Sequence, residues 1–427
     1  MTKGCVAVSL GILAVVLGCM ITKLSTFEGG PHDGLEWMQD RIPHEAVPIW
    51  KHPDLSLGNK IFDYLFPLIC PLGTMVGCPT SIDKDNMSEA TLCMKPFKDF
   101  ATKAGLMWTA SVSGSYDASS KYIEKTIYIP RPIFSDPPLE VTLVRRRSSL
   151  VGDTFQLHAN APLVLWLHGG GFTVGTSRDD HMLNFMDRLD DTAMPSLADD
   201  LVWASVEYRL APEHKYPAAS DDAILALRHL IQEQNLGQGG IHIAGASAGG
   251  LLAMETTLRA LKLNIPVHTF LVDSPMVPLA NNIANKTHAL DSESFRRNTY
   301  CRINVPWLHW CYESYAPSAN NDITGGSMTP REWVRASKNN PDKFPPLFLI
   351  TGKADPLQSG GIAFKEVYED ALASRGNTNT TMDKVYHVDL SSTHCSHFMF
   401  DAANFRAIVD DWHSEMNHIW ESKQKMN

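Results

Sequence analysis

The sequence lacks the features that mark nucleic-acid-binding and metal-dependent proteins. Its only dense basic cluster is Arg145 to Arg147, and 37 lysines and arginines stand against 47 aspartates and glutamates, for a formal net charge of −10. Because affinity for nucleic acid comes from clustered Lys and Arg, this balance excludes nonspecific nucleic-acid binding. No CxxC pair, HExxH motif or P-loop is present. We therefore expect no metal site and no organic cofactor.

Internal repeats and long low-complexity tracts are also absent. Of the 427 residues, 44% are hydrophobic and 20% are charged. This composition supplies enough apolar material for a large core, so it excludes a mainly disordered, collagen-like or small disulfide-stabilised protein.

One segment is far more apolar than the rest. Gly4 to Ile21 is an uncharged, mostly apolar run between Lys3 and Lys23. A membrane helix needs about 20 such residues, so we predict that residues 1–23 are a membrane anchor. The rest of the chain is then lumenal or extracellular, in the endoplasmic reticulum or secretory pathway. A cleaved signal segment, with secretion of the body, is the alternative.

The cysteines and glycosylation motifs favour the same compartment. Six cysteines lie outside the apolar run, and pairs such as Cys70 and Cys78 are candidates for disulfides in an oxidising compartment, although free buried thiols fit equally well. Asn86, Asn285 and Asn379 begin N-x-S/T motifs, which predict a glycoprotein.

From residue 121 onwards the sequence predicts an α/β domain that reaches residue 427. Two alternating segments, 122–129 and 139–144, read as half-buried strands. Five short apolar runs follow at 162–167, 201–206, 241–244, 267–272 and 346–350. Strands this apolar are buried on both faces, so helical segments between them predict a mostly parallel central sheet with helices on both faces. The stretch near 280–340 breaks this alternation and predicts a helical cap, to which residues 24–120 contribute; long loops are the alternative.

The most specific motif is Gly245-Ala246-Ser247-Ala248-Gly249, which follows a predicted strand and precedes a helical segment. A strand-to-helix turn this tight needs small residues on both sides of the serine and exposes its hydroxyl. We therefore expect Ser247 to be a nucleophile.

A second motif predicts where negative charge on a substrate is stabilised. His168-Gly169-Gly170-Gly171 follows the strand at 162–167, and a glycine-rich loop there exposes backbone N–H groups. The expected oxyanion hole comprises the amides of Gly170, Gly171 and Ala248.

A serine nucleophile needs a base and an acid that orients the base. Asp355, just beyond the strand at 346–350, is the expected acid. Two histidines follow the last predicted strand, 384–390. We favour His397 as the base because it lies nearest the start of the closing helix, and His394 is the alternative.

These motifs resemble those of the hormone-sensitive-lipase-like α/β-hydrolases, in particular the branch of arylacetamide deacetylase and neutral cholesterol ester hydrolase. The resemblance covers roughly residues 120–420 and includes the block Tyr208 to Ala219 with Asp221 and Asp222. We expect that block to have a structural role, with Arg209 paired to Asp221 or Asp222. Two departures stand out: Ala246 replaces an acidic residue, and Phe398 follows His397 where the family commonly has glycine.

The resemblance implies an α/β-hydrolase fold and a serine carboxylic-ester hydrolase without a cofactor. The aromatic segment Trp307 to Tyr315 and the N-terminal region are expected to cover an acyl pocket, so we expect small-molecule esters that are apolar or lipid-like. A ligand-binding receptor or an inactive scaffold on a hydrolase fold is the alternative. Such receptors lose the base, whereas two histidines remain here.

Overall fold

The structure is a computed structural model. It describes residues 46–47, 49–61, 91–92, 95, 112, 120–132, 136–147, 155, 157, 160–190, 194–278, 292–298, 303, 305–316, 323–337, 344–374 and 384–426. The predicted anchor, the candidate pair Cys70 and Cys78, and the asparagines of the three glycosylation motifs lie outside these residues. Cys311 and Cys395, which are described, form no disulfide.

Eight strands of the described chain form a single sheet. They are β1 (Tyr122–Ile129), β2 (Leu139–Arg146), β3 (Leu163–Leu167), β4 (Val202–Val206), β5 (Ile241–Ala246), β6 (Thr269–Asp273), β7 (Leu347–Gly352) and β8 (Val385–Leu390). Their order in the sheet is β1-β2-β4-β3-β5-β6-β7-β8.

The sheet is mostly parallel, as predicted. β1 pairs with β2 and β2 with β4 in antiparallel fashion, and the remaining neighbours, from β4 to β8, are all parallel. Every residue of β3 through β7 is buried. Continuous apolar strands of this kind are expected where helices cover both faces of a sheet.

The helices are α1 (Asp180–Asp190), α2 (Pro195–Asp200), α3 (Ala218–Gln232), α4 (Ala248–Lys262), α5 (Glu293–Arg297), α6 (Val305–Tyr315), α7 (Pro330–Ser337), α8 (Gln358–Ala373), α9 (His397–Phe400) and α10 (Ala402–Gln424). One apolar core joins the sheet to α3, α4, α7 and α8. A second core joins its other side to α1, α2 and α10. The predicted layers, with helices on both faces, are confirmed. None of the helices in the described ranges is both long and apolar enough to cross a membrane.

Three helices, α5 to α7, lie between β6 and β7, within the stretch where the sequence predicts a cap. Helix α6 packs on the loop that follows β3: the rings of Phe172 and Tyr315 stack at a centroid distance of 3.9 Å. The amide of Tyr216 also donates to the carbonyl of Tyr315, at 2.8 Å. This insertion therefore lies at the carboxyl end of the parallel strands.

The described part of the N-terminal region, residues 46–61, contacts the loops that follow β7 and β8. Ile49 and Leu55 form a small apolar cluster with Ala354. The Asn59 side chain donates to the carbonyl of Ser391 at 2.9 Å. This segment thus packs beside the loops that carry the predicted acid and base.

Candidate active site

Ser247 occupies the sharp turn between β5 and α4. Its backbone has φ 57° and ψ −118°, a conformation that costs energy for any residue other than glycine. Two main-chain hydrogen bonds hold the turn: the Ser247 amide donates to the Asp273 carbonyl at 2.8 Å, and the Met276 amide donates to the Ser247 carbonyl at 2.9 Å. The turn therefore depends on its attachment to the end of β6.

The glycines on either side of Ser247 are required by close packing. A Cβ on Gly245 would collide with the main chain of Gly249 and lie 2.8 Å from the carbonyl oxygen of Leu167. A Cβ on Gly249 would collide with the carbonyl oxygens of Leu167 and His168. The turn that presents Ser247 thus packs directly on the loop that follows β3, as the motif predicts.

That loop carries the predicted oxyanion-hole residues. Gly170 and Gly171 have φ values of 118° and 60°, and a Cβ on Gly169 would lie 3.4 Å from the Cβ of Ser247. Among the described residues, no main-chain acceptor receives a hydrogen bond from the amide of Gly170 or Gly171. Ala248 is the first residue of α4, where backbone N–H groups favour negative charge. All three predicted amides therefore lie near the turn of Ser247.

The block that begins at Tyr208 packs against this loop. The Tyr208 hydroxyl donates to the carbonyl of His168 at 2.7 Å, and the two rings stack at 4.1 Å. Arg209 donates through Nε to Asp222 at 3.0 Å, and Arg131 binds the same carboxylate. Asp222 is thus the partner of Arg209, whereas Asp221 pairs with Arg259. The predicted pairing of Arg209 with one of these two aspartates is confirmed.

Asp355 and His394 form a buried acid–base pair. His394 Nδ1 lies 2.8 Å from Asp355 Oδ2, and the other carboxylate oxygen accepts from the Leu357 amide at 2.8 Å. Asp355 is fully buried and His394 is only 5% exposed. With Nδ1–H donating to the carboxylate, His394 keeps a lone pair on Nε2, which is the arrangement that a general base needs.

The geometry does not match the preference for His397 as the base. His397 Nε2 contacts Asp273 Oδ2 at 2.9 Å, so this histidine belongs to a different carboxylate. Strand register explains the difference. Gly352 on β7 pairs with Leu390 on β8, which places Asp355 and His394 three and four residues beyond the paired positions. His397 comes three residues later and already starts helix α9.

Asp273 is a buried residue that the sequence reasoning missed. It ends β6 and accepts hydrogen bonds from His181 at 2.8 Å and from His397 at 2.9 Å, both at Oδ2. Burial by itself raises the pKa of this carboxyl, but the charge of His397 and the two histidine hydrogen bonds outweigh burial and hold the pKa well below its usual range. The sequence does carry one indication of this residue, because Asp273 stands directly after the apolar run that forms β6.

Comparison with known proteins gives the class of this fold. A model of a family described as alpha/beta hydrolase fold matches residues 164–387. The match covers more than half of the chain and includes the Ser247 turn, the glycine loop and Asp355. The chain belongs to this family.

Curated relatives are esterases and related hydrolases. The chain is 30% identical over 221 residues to esterase LipI of Mycobacterium tuberculosis, which is 49% of this chain and 60% of that protein. It is 30% identical over 146 residues to human arylacetamide deacetylase-like 2, which is 33% of each chain. The chain thus spans about 60% of the length of the first of these relatives.

Solved structures share the fold. Brefeldin A esterase, a bacterial homologue of human hormone-sensitive lipase, superposes with a TM-score of 0.59 at 16% identity over 90% of this chain and 98% of its own. An esterase of Pyrobaculum calidifontis gives 0.51 at 23% identity over 78% and 93%. The α/β-hydrolase resemblance drawn from the motifs is confirmed by the family match, and arylacetamide deacetylase-like 2 is among the relatives.

Proposed function

We propose that this protein is a serine carboxylic-ester hydrolase with Ser247, Asp355 and His394 as its catalytic triad. The observation that carries the proposal is the buried 2.8 Å contact between His394 Nδ1 and Asp355 Oδ2. The pair follows β7 and β8, and the Ser247 turn follows β5. Because these strands are parallel, the pair and the turn lie at the same end of the sheet. The esterases among its relatives support the same reaction class.

In the proposed mechanism, His394 Nε2 takes the proton of Ser247 as the hydroxyl oxygen attacks the ester carbonyl carbon. Asp355 stabilises the resulting imidazolium through Nδ1–H. The amides of Gly170, Gly171 and Ala248 donate to the oxyanion of the tetrahedral intermediate. The imidazolium then returns its proton to the leaving alcohol, which leaves an acyl-serine. Water attacks the acyl-serine by the same steps, so that a carboxylic acid leaves and the enzyme is regenerated.

The substrates we infer are esters with an apolar acyl group. Helix α6 brings aromatic side chains onto the glycine loop: a Cβ on Gly171 would lie 2.9 Å from the Trp307 ring. Trp307 and Tyr312 are both buried. An acyl chain whose carbonyl oxygen lies at this loop would therefore meet an apolar wall.

We also infer that residues 1–23 anchor the protein in a membrane, with a lumenal or extracellular body, as the apolar run at residues 4–21 suggests. Expression with and without residues 1–23, followed by alkaline extraction of membranes, tests this inference. If the full chain is released by alkali, the anchor is wrong.

The triad is tested by fluorophosphonate labelling and by hydrolysis of p-nitrophenyl esters of increasing chain length. Ser247→Ala should abolish labelling. Both Ser247→Ala and His394→Ala should lower kcat by about 10⁴-fold or more, because formation and hydrolysis of the acyl-serine both need the nucleophile and the base.

Two control variants separate the base from its neighbours. His397→Ala should retain far more activity than His394→Ala, and His418→Ala, exposed on α10, should match the wild type. Thermal melting of each variant shows whether it is folded. A wild type that neither reacts with the probe nor hydrolyses any ester would refute the proposed esterase activity. A larger loss of activity in His397→Ala than in His394→Ala would refute this triad.

A further inference from the structure

The main chain of Asp273 holds the turn of the proposed nucleophile. Asp273 ends β6, where it pairs with Ala246 of β5 on one side and with Ile350 of β7 on the other. Its carbonyl accepts the hydrogen bond of the Ser247 amide at 2.8 Å. A strained backbone such as that of Ser247 persists only where the surrounding structure fixes it. Asp273 therefore supplies one of the contacts on which the position of the nucleophile depends.

The side chain of Asp273 reaches the segment that carries the proposed base. His397 Nε2 lies 2.9 Å from Asp273 Oδ2, and both side chains are fully buried. The Sγ atom of Cys395 lies within 4.8 Å of the same carboxylate and 3.6 Å from His394 Nε2. A single residue thus contacts the turn of Ser247 through its main chain and the segment of His394 through its side chain.

The hydrogen bonds to this carboxylate are of a strong kind. His181 Nε2 lies 2.8 Å from Oδ2, and the Ser274 hydroxyl donates to Oδ1 at 2.9 Å. The pKa of Asp273 is well below its usual range, so the carboxyl is ionised at neutral pH and can only accept. Both histidines therefore donate through Nε2. Hydrogen bonds to an ionised group are roughly twice as strong as neutral ones, which suits a fixed connection.

The turn between the two histidines is short and internally bonded. The Ser396 amide donates to the carbonyl of Thr393 at 3.3 Å, and the hydroxyl oxygens of these two residues lie 2.9 Å apart. His397 follows directly and starts helix α9. Because these bonds close the turn around His394, a displacement of His397 is transmitted to His394.

We propose that Asp273 and His397 are positioning residues that hold Ser247 and His394 in the relative placement that proton transfer between them needs. Asp273 fixes the serine through its carbonyl, and its carboxylate fixes the turn of the base through His397. Neither residue touches the substrate, so their effect on the reaction is exerted through Ser247 and His394. The kinetic role, but not the physical connection between the two turns, rests on the proposed function.

The kinetic role is tested by hydrolysis of p-nitrophenyl acetate by the full-length protein. His397→Ala should lower kcat by about 10- to 100-fold with little change in KM, because a misplacement of about 1 Å costs about 10²-fold in rate. His397→Gln should recover most of this loss, since its side-chain amide can still donate to Asp273. His397→Leu, which fills more of the space of the ring without a donor, replaces the alanine variant if that variant does not fold.

His413→Ala is the matched control for the loss of a buried imidazole. His413 lies on α10 and is fully buried, and within the described ranges neither of its ring nitrogens has a hydrogen-bond partner. This variant should lower the melting temperature and leave kcat unchanged. A kcat of His397→Ala equal to that of His413→Ala, or a kcat of His397→Gln as low as that of His397→Ala, would overturn the positioning role.

Amide hydrogen exchange, followed by mass spectrometry of peptides, tests the connection without catalysis. In His397→Ala, the peptides that contain Ser247 and His394 should both exchange about tenfold faster than in the wild type, as expected for the loss of one hydrogen bond to a charged group. In His413→Ala they should exchange at the wild-type rate. Unchanged exchange of the Ser247 peptide in His397→Ala would overturn the connection. An inactive wild type would refute the proposed function instead, and the exchange rates would still decide whether Asp273 connects the two turns.

Discussion

At the residue scale, Glu255 is an acidic side chain buried within an apolar layer. It lies on α4, the helix that follows Ser247, and is 2% exposed. The Tyr216 hydroxyl donates to Oε1 at 3.3 Å. Burial raises the pKa of Glu255 to about 7, although Arg259 opposes the shift. The carboxyl is thus held partly protonated near neutral pH.

This raised pKa makes the stability of the protein depend on pH. The carboxyl ionises at a pH near 4.5 in the unfolded chain but near 7 in the folded one. Between these values the unfolded state binds fewer protons, so the free energy of unfolding falls as pH rises. Over the whole interval the loss is about 3 kcal/mol.

We expect Glu255→Gln to remove this pH dependence, because the amide keeps an acceptor for Tyr216 but cannot ionise. Its free energy of unfolding in urea should exceed that of the wild type by more at pH 8 than at pH 5. Glu366→Gln, exposed on α8, is the control and should follow the wild-type pH profile. Parallel profiles for Glu255→Gln and the wild type would show that Glu255 is ionised throughout this range.

At the element scale, Asn298 joins three segments that lie far apart in the sequence. It follows α5, and its side-chain amide donates to the carbonyls of Asp355 at 3.0 Å and Lys353 at 3.3 Å. Its Oδ1 lies 3.0 Å from His52 Nε2. The loop that carries the proposed acid is therefore held by both the cap insertion and the N-terminal segment.

Replacing Asn298 with alanine should loosen the loop of Asp355. The change leaves two carbonyls and the His52 ring without this partner, so we expect a stability loss of about 2–3 kcal/mol. It should also lower kcat for ester hydrolysis by about tenfold with little change in KM, because the acid no longer holds His394 in place. Asn417→Ala, on the outer surface of α10, is the matched control. If kcat of Asn298→Ala equals that of the control, Asn298 has only a structural role.

The sequence predicts the central strands well because their burial on both faces produces continuous apolar runs, such as 163–167 on β3. It also predicts the Ser247 turn, since close packing leaves no room for side chains at Gly245 and Gly249. It does not distinguish His394 from His397, because that choice depends on the pairing of Gly352 with Leu390 across two strands. The sequence does not predict the contacts of residues 46–61 either, and for a similar reason. Asn59 contacts Ser391 across 332 positions of the chain, and no local sequence pattern encodes such a contact.

At the scale of the whole molecule, the cap insertion and the hydrolase sheet meet at the glycine loop. A Cβ on Gly171 would collide with Cys311 of α6 and lie 2.9 Å from Trp307. The Tyr312 hydroxyl donates to the carbonyl of Met276 at 2.9 Å, which ties α6 to the segment after β6. No space for a side chain remains between α6 and the proposed oxyanion hole. The size of a bound acyl group should therefore depend on this helix.

We expect Trp307→Ala to shift the enzyme towards longer acyl chains. Removing the indole opens space beside Gly171. The measured quantity is the ratio of kcat/KM for the longest p-nitrophenyl ester to kcat/KM for the shortest. This ratio should rise by about tenfold, as expected for a few added methylene contacts. Trp333→Phe is the matched control, because Trp333 packs on Phe270 and Tyr368 against the sheet. It should lower the melting temperature without changing that ratio. If the ratio stays constant in Trp307→Ala as well, the acyl group lies on another side of the glycine loop and α6 covers the site without selecting its substrates.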